Sequence, residues 1–209
     1  SQIAEENLDP SNAVAVWLGP GHVQEFYRGI PNCMVIDSRR EDVKRRLVQS
    51  FSSDLIRFYY GDDLIGNEVG AAAKNVVGIA AGFLDGKGLS SLKGALMSRG
   101  TREVARLIQA MGGSQLSAYG LCHLGDYEAT VFSRYSHNRQ FGESFIRGET
   151  YTDLAEGYYT VEALVLLGQR HGVELPICQA VHRVLYCGAD PMQELRALLD
   201  RNLTREFGE

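Results

Sequence analysis

The sequence predicts a mainly helical protein, in which a short α/β segment of about 60 residues precedes an all-helical domain. Three observations carry this. The first third holds three short apolar runs, at Ala13–Leu18, Asn32–Asp37 and Leu55–Tyr59, with one amphipathic stretch between the last two. After Asp63 strand-like runs stop. From there to the end, apolar residues recur at helical spacing between glycine and Asp-Pro punctuation. The division is expected at 1–62 and 63–209.

Taken in order, AVAVWL at Ala13–Leu18 is a continuous apolar run, as in a buried strand. NCMVID at Asn32–Asp37 and LIRFY at Leu55–Tyr59 read as two more. Between them, Ser38 and Glu41 are spaced as a capping box, and Val43, Leu47 and Val48 form the apolar stripe of a helix. Strand, helix, strand in this order predicts part of a parallel sheet. The Ile65–Leu84 stretch is helical, and a loop follows around Gly86–Ser91. Val104, Leu107, Ile108 and Met111 mark the next helix, which stops at Gly112-Gly113. Thr160–Gly168 is a further helix. Ile177, Val181, Val184 and Leu185 mark another, ending at Gly188. Asp190-Pro191 opens the last, with Asp as cap, Pro at the first position and Gln193 closing the box; Leu195, Leu198 and Leu199 face inward.

Composition narrows the function classes. The chain has 209 residues, 44% hydrophobic and 22% charged, enough for a sizeable core. A net charge of −5 argues against a broad phosphate-tracking surface, so no nucleic-acid partner is expected. Apolar runs fall short of the roughly 18 residues of a membrane span. The sequence shows neither a signal peptide nor an initiator methionine, so Ser1 reads as a processing or cloning scar within a longer protein. Cys33, Cys122, Cys178 and Cys187 form no CxxC pair, which suits reduced thiols in the cytoplasm.

The most informative stretch is IGNEVGAAAKNVVGIAAGFL, Ile65–Leu84, where Lys74 stands in a lane of glycine and alanine. Gly70 and Gly78 lie one helical turn before and after the lysine, on its face. Gly66, Gly70, Gly78 and Gly82 each cost a helix roughly 1 kcal/mol against alanine. Either close packing or a ligand beside an amine explains that cost. Lys74 reads as a partly desolvated amine with a lowered pKa, able to move a proton. The plainer alternative is a lysine that snorkels to water from a packed helix.

Two further constellations carry chemistry. Asp126 and Thr130 are four apart and share a face if helical, where they could hold a polyol hydroxyl; alternatively Asp126 caps a helix. Ser136-His137-Asn138-Arg139 at a helix start makes an anion site from free N–H groups and the helix dipole, or else an ordinary cap with a solvated arginine. Cys178, His182 and Cys187 lack a fourth ligand and fit a buried helix face better than a metal site. Gly19-Pro20-Gly21 and Gly86-Lys87-Gly88 are glycine turns, and neither is G-x-G-x-x-G.

Ile65–Ala81, with its lysine-asparagine pair, and Gly120–Gly142, GLCHLGDYEATVFSRYSHNRQFG, resemble the NAD(P)-dependent glycerol-3-phosphate dehydrogenase family. The resemblance runs from about Ala13 to Leu199. It implies the family's multihelical substrate domain, of the 6-phosphogluconate-dehydrogenase C-terminal type, preceded by the last strands of a Rossmann coenzyme domain. The family's glycine fingerprint and its second functional lysine have no counterpart in this sequence, so most of the NAD or NADP site is expected outside it.

The resemblance also implies roles. Lys74 matches the proton acceptor for the secondary hydroxyl, followed by Asn75 in the substrate site. Asp126 and Thr130 match substrate-binding positions. Ser136, His137 and Asn138 match the block that grips the substrate phosphate, with His137 also touching the coenzyme. Leu154 and Glu156 match coenzyme contacts. Gly19-Pro20-Gly21-His22-Val23 matches the family's Gly-Pro-Ser-Phe-Ala turn, with Gly19 and Gly21 toward substrate and Val23 toward coenzyme. Partners implied are glycerol 3-phosphate, dihydroxyacetone phosphate and a second subunit in a homodimer. Two residues depart from the pattern. His137 stands where the family has arginine, and Gly21 where it has a hydroxyl; Arg139 or Arg134 is expected to supply part of the missing charge. The competing readings are a dehydrogenase of another phosphorylated or acidic hydroxy compound, and a helical dimerisation module without chemistry.

Overall fold

The computed structural model describes residues 1–202 and 206. A short helix, α1 (Gln2–Asn7), leads into a three-stranded sheet in the order β1 (Val16–Leu18), β2 (Asn32–Asp37), β3 (Ile56–Tyr60), with a short helix α2 (Val23–Phe26) between the first two strands. The β2–β3 pairing is parallel, with Met34 opposite Phe58, and α3 (Glu41–Phe51) makes the crossover, as the strand–helix–strand pattern predicted.

Two sequence expectations need correction in this region. The first strand covers only Val16–Leu18, runs antiparallel to β2, and leaves Trp17 44% exposed. Its apolar character has another cause: the indole packs on Phe51 and edge-on against Phe58, at ring separations of 5.3 and 4.6 Å, closing the small core of Ile36, Val48 and Phe58. The second correction concerns the start of α3. Arg40, not Ser38, is its cap, and no side chain caps it. The Ser38 hydroxyl is spent elsewhere, donating to the Val14 carbonyl at 2.6 Å.

The passage from sheet to helices is held by two aspartates. Asp37, at the end of β2, accepts from the Asp63 N–H at 3.1 Å and from the Asn67 amide at 2.7 Å. Asp63 caps α4 (Leu64–Gly86) through the Gly66 N–H and also accepts from the Ser114 N–H and the Ser117 hydroxyl. Buried Lys44 reaches in from α3 to the Gly61 carbonyl and Asp62.

Helix α4 is the axis of the helical part. Against it pack α5 (Lys93–Ala110), α6 (His137–Arg147), α7 (Glu156–His171) and α8 (Pro176–Cys187), and α9 (Pro191–Leu199) lies on α8. Ala73, Val76 and Ile79 of α4 meet Val104, Leu107 and Ile108 of α5, Val161 and Leu164 of α7, and Ile177 and Val181 of α8 in one core. The glycine lane is explained by close packing. A Cβ on Gly82 would collide with the Arg139 carbonyl, and one on Gly142 with the Ile79 carbonyl, so α4 and α6 cross backbone against backbone. Gly78 lies under Thr130 and Asn138, and Gly70 under His123. No glycine of the lane is left facing open space.

The remaining elements follow the sequence with small shifts. Helix α7 extends the expected Thr160–Gly168 segment at both ends. Helix α8 stops at Gly188, which takes a left-handed φ of 67°. Asp190 caps α9 by accepting from the Gln193 N–H. Leu195 and Leu198 are half-buried, but Leu199, although on the same i, i+3, i+4 face, is 66% exposed at the last residue of α9. Cys178 belongs to the core, and His182 stacks on Tyr186 rather than facing it. Glu103, buried, accepts from the Ile177 and Cys178 N–H groups at the start of α8. Among the described residues no helix is long and apolar enough to cross a membrane.

Candidate active site

A cleft of about 150 Å³ opens where the sheet segment meets the helical part. The turn before α2 contributes Gly19, Gly21 and His22; α4 contributes Lys74 and Asn75. Asp126, Ala129 and Thr130 come from an irregular stretch, a 3-10 turn (Leu124–Asp126) followed by a π-type turn (Glu128–Phe132). Such widened turns recur at functional sites because they re-aim side chains. Ser136, His137 and Asn138 stand at the start of α6, and Glu156 at the start of α7. Residues spread over 138 positions of sequence (Gly19 to Glu156) thus share one small cavity.

At its centre Lys74 Nζ forms an ion pair with Asp126 Oδ2. The lysine side chain is 21% exposed and the aspartate 3%. Asp126 therefore is no helix cap but the counter-ion of the amine, and Lys74 does not snorkel out to bulk water. Burial pushes the amine's pKa down, and the Glu156 carboxylate pulls the other way. Asn138 binds α6 to the start of α7: its amide donates to Glu156 at 3.3 Å, and its oxygen accepts from the Gly157 N–H at 2.8 Å.

The start of α6 has the serine cap that the sequence predicted, but Arg139 is not the solvated arginine of the plainer reading. Ser136 is its cap, accepting from the Arg139 N–H at 3.3 Å. By helix geometry the N–H groups of His137 and Asn138 have no intrahelical partner, and both residues line the cleft. His137 lies at the rim, 56% exposed, with Nδ1 2.8 Å from the Tyr151 hydroxyl and 3.9 Å from Asp153. The expected stand-ins for the missing arginine are elsewhere. Arg139 points to the opposite side of α6, where it donates to Asp85, Glu143 and the Ser133 carbonyl. Arg134 is exposed and lies over the Tyr135 ring. Adjacent sequence positions on a helix face different ways, so nearness along the chain did not give nearness to the cleft.

Of the coenzyme-contact candidates, Glu156 and His137 line the cleft, whereas Val23 and Leu154 lie outside it, each 64% exposed. Sequence reasoning missed His22 as a lining residue; its Nε2 is buried without a partner, and its ring meets Tyr135 edge-on. It also missed the buried set His123, Tyr127 and Thr101 behind Asp126, for which the four-residue His–Tyr spacing was the available signal.

Residues 63–196, which hold Lys74, Asp126 and the start of α6, match the model of a family described as NAD-dependent glycerol-3-phosphate dehydrogenase C-terminus. The chain belongs to that family. Among its relatives in the NAD-dependent glycerol-3-phosphate dehydrogenase group, the glycerol-3-phosphate dehydrogenase (NAD(P)+) of Thermus thermophilus is 42% identical over 194 residues, which cover 90% of this chain and 60% of the relative. The enzyme of the same name from a Thermotoga species is 36% identical over 215 residues, 99% of this chain and 65% of the relative. A crystal structure of glycerol-3-phosphate dehydrogenase from Coxiella burnetii superposes with a TM-score of 0.85 at 32% identity, over 90% of this chain and 61% of that one. The chain thus spans about three fifths of the length of the relatives it matches.

Proposed function

We propose that this chain is the substrate-binding part of an oxidoreductase that interconverts sn-glycerol 3-phosphate and dihydroxyacetone phosphate with NAD(P)(H). Residues 1–62 would belong to the coenzyme-binding domain and 63–209 to the substrate domain. The observation that carries the reading is the Lys74–Asp126 pair in a cleft whose far side is the N-terminus of α6. The relatives' names supply the substrate and the coenzyme class.

In this reading the start of α6 binds the phosphate through the His137 and Asn138 N–H groups, with the helix dipole adding to the attraction. Thr130 and Asn75 orient the hydroxyls. The secondary hydroxyl lies against Lys74, whose burial-lowered pKa suits an amine that takes a proton during oxidation and returns it during reduction. Asp126 fixes the position of the amine beside the hydroxyl. The bound nicotinamide supplies the hydride chemistry; Glu156, His137, Val23 and Leu154 are its edge on this chain. A homodimer in the cytoplasm, serving glycerolipid and carbohydrate metabolism, completes the proposal.

A second reading rests on one observation: among the described residues the cleft has no arginine in its lining. That favours, as the alternative, a hydroxy compound with a different acidic group. Both readings are tested on the full-length protein by coenzyme reduction with glycerol 3-phosphate beside a panel of phosphorylated and carboxylated hydroxy compounds. Preference for a non-phosphorylated substrate would overturn the first.

A further inference from the structure

Behind the cleft runs a chain of buried polar groups that the proposed chemistry does not use. Thr101 Oγ1 on α5 lies 3.4 Å from the Tyr127 hydroxyl. That hydroxyl lies 2.7 Å from His123 Nε2, and His123 Nδ1 lies 2.8 Å from the Gly70 carbonyl oxygen. All three side chains are at most 1% exposed. None lines the cleft.

The direction of the chain follows from its ends. A carbonyl only accepts, so His123 Nδ1 carries the proton and donates to Gly70. Nε2 then presents a lone pair and accepts from the Tyr127 hydroxyl, whose oxygen accepts from Thr101. Every group is satisfied once, in one tautomer. Burial lowers the His123 pKa to about 4 despite the bond to Gly70, so the ring stays neutral at ordinary pH and carries no proton to or from the cleft. The chain holds position.

What it holds is decided by its neighbours. Gly70 lies one helical turn before Lys74 on α4. Asp126 precedes Tyr127 directly and donates its N–H to the His123 carbonyl at 3.0 Å. The two anchors therefore flank Asp126, and the chain ends on the turn of α4 that carries Lys74. Gly70 makes this possible, since a Cβ there would press on the His123 Cβ at 3.1 Å. Without such a tie, a carboxylate on a single 3-10 turn and an amine on a four-carbon stem would sample many geometries.

We propose that His123 and Tyr127 are positioning residues that set the Lys74–Asp126 geometry. The functional part of this inference rests on the dehydrogenase reading; the geometric part does not.

Tyr127→Phe tests it, removing one hydroxyl at constant ring volume. In the 209-residue chain, the Lys74 amine, followed by 13C NMR of its ε-carbon, should titrate about half a pH unit or more from the parent value. The other ionisable groups that act on the amine, Cys122 and Glu156, are left unaltered. In the full-length enzyme kcat should fall about tenfold to a hundredfold, with KM changed by less than about twofold. In an Asp126→Asn background the same substitution should add almost nothing. An unchanged Lys74 titration, an unchanged kcat in a less stable protein, or effects that multiply with Asp126→Asn would each overturn the proposal by showing a purely structural chain. Thr101→Val breaks the far end and should show the same effects more weakly; it serves as the reading if Tyr127→Phe does not fold. Full activity of Lys74→Ala alongside a shifted Lys74 titration in Tyr127→Phe would sink the dehydrogenase reading and leave the positioning intact.

Discussion

Helix α4 takes part in two lysine–aspartate pairs about three turns apart, and they differ in what surrounds them. At its C-terminal end Asp85 accepts from Lys93 at 2.6 Å, from Ser90 at 2.7 Å and from Arg139 at 2.9 Å, while Lys93 also donates to the Val131 carbonyl. The Lys93 side chain is 8% exposed and does not line the cleft that holds Lys74. In the middle of the helix Lys74 meets Asp126 beside an open cavity, with more than twice that exposure. One pair is closed on all sides and ties α4 to α5 and α6. The other has room for a third party. Both lysines are paired with aspartate, Lys93 buried and Lys74 partly exposed to the cavity; only Lys74 has an arrangement in which losing a proton to a ligand is chemically possible.

Substitution should separate the two. Lys74→Ala in the full-length enzyme should lower kcat about 10²- to 10⁴-fold, the usual contribution of a general acid–base group, and should also lower the thermal midpoint, because it leaves the buried Asp126 carboxylate without its counter-ion. Steady-state assay beside a melting curve reads both, and a near-normal kcat would remove Lys74 from the mechanism. Lys93→Met should lower stability alone. It leaves Asp85 with Arg139 and Ser90 but strips the Val131 carbonyl of a buried donor, and should cost about 3 kcal/mol of stability while the surviving folded protein keeps its turnover number. Urea unfolding followed by assay at low temperature checks this.

The buried imidazole sharpens the contrast through pH. His123 is pushed down to about 4 in the folded chain. Between that value and the ordinary histidine range near 6.5, the unfolded chain binds the extra proton and the folded chain does not. Stability is therefore complete above about pH 6.5 and is lost as pH falls toward 4, by about 3 kcal/mol over the window. Urea midpoints at pH 7 and pH 4.5 should show the loss, and His123→Asn should flatten that part of the curve. A parent protein with no slope there would contradict the buried neutral ring.

The smallest expected effect is at the rim. His137→Arg places a permanent charge beside the start of α6 without touching either lysine pair. KM for glycerol 3-phosphate should fall by about threefold to tenfold, with kcat unaltered. An unchanged KM would show that the helix N-terminus binds the phosphate unaided.

Much of the helical architecture was legible because it is local: periodic apolar residues, Gly188 as a stop and Asp190-Pro191 as a start depend on near neighbours. The amine at Lys74 was legible for the same reason, standing out against glycine and alanine. What distance along the chain conceals was not. The glycine lane is equally consistent with a ligand or with α6 until Gly142 is seen against Ile79. Ser38 has the spacing of a cap, yet its hydroxyl goes to Val14, twenty-four residues away. Arg139 is next to Asn138 in sequence and faces the other way in space, toward Asp85. His123 and Tyr127 lay inside a stretch singled out for its motif, but their meaning comes from Gly70, more than fifty residues earlier.

The crossing of α4 over α6 has a metrical consequence. With Gly82 and Gly142 set backbone to backbone, and Gly78 pressed beneath Thr130 and Asn138, neither helix can slide along the other without a collision of main-chain atoms. The span from the α4 main chain at Lys74 to the first N–H groups of α6 is thereby a fixed length, set by incompressible contacts, and the lysine stem only adjusts around it. The pair of helices works as a gauge block: a molecule with its acidic group seated on α6 presents to Lys74 whichever carbon lies at that distance, and a longer or shorter homologue presents the wrong one.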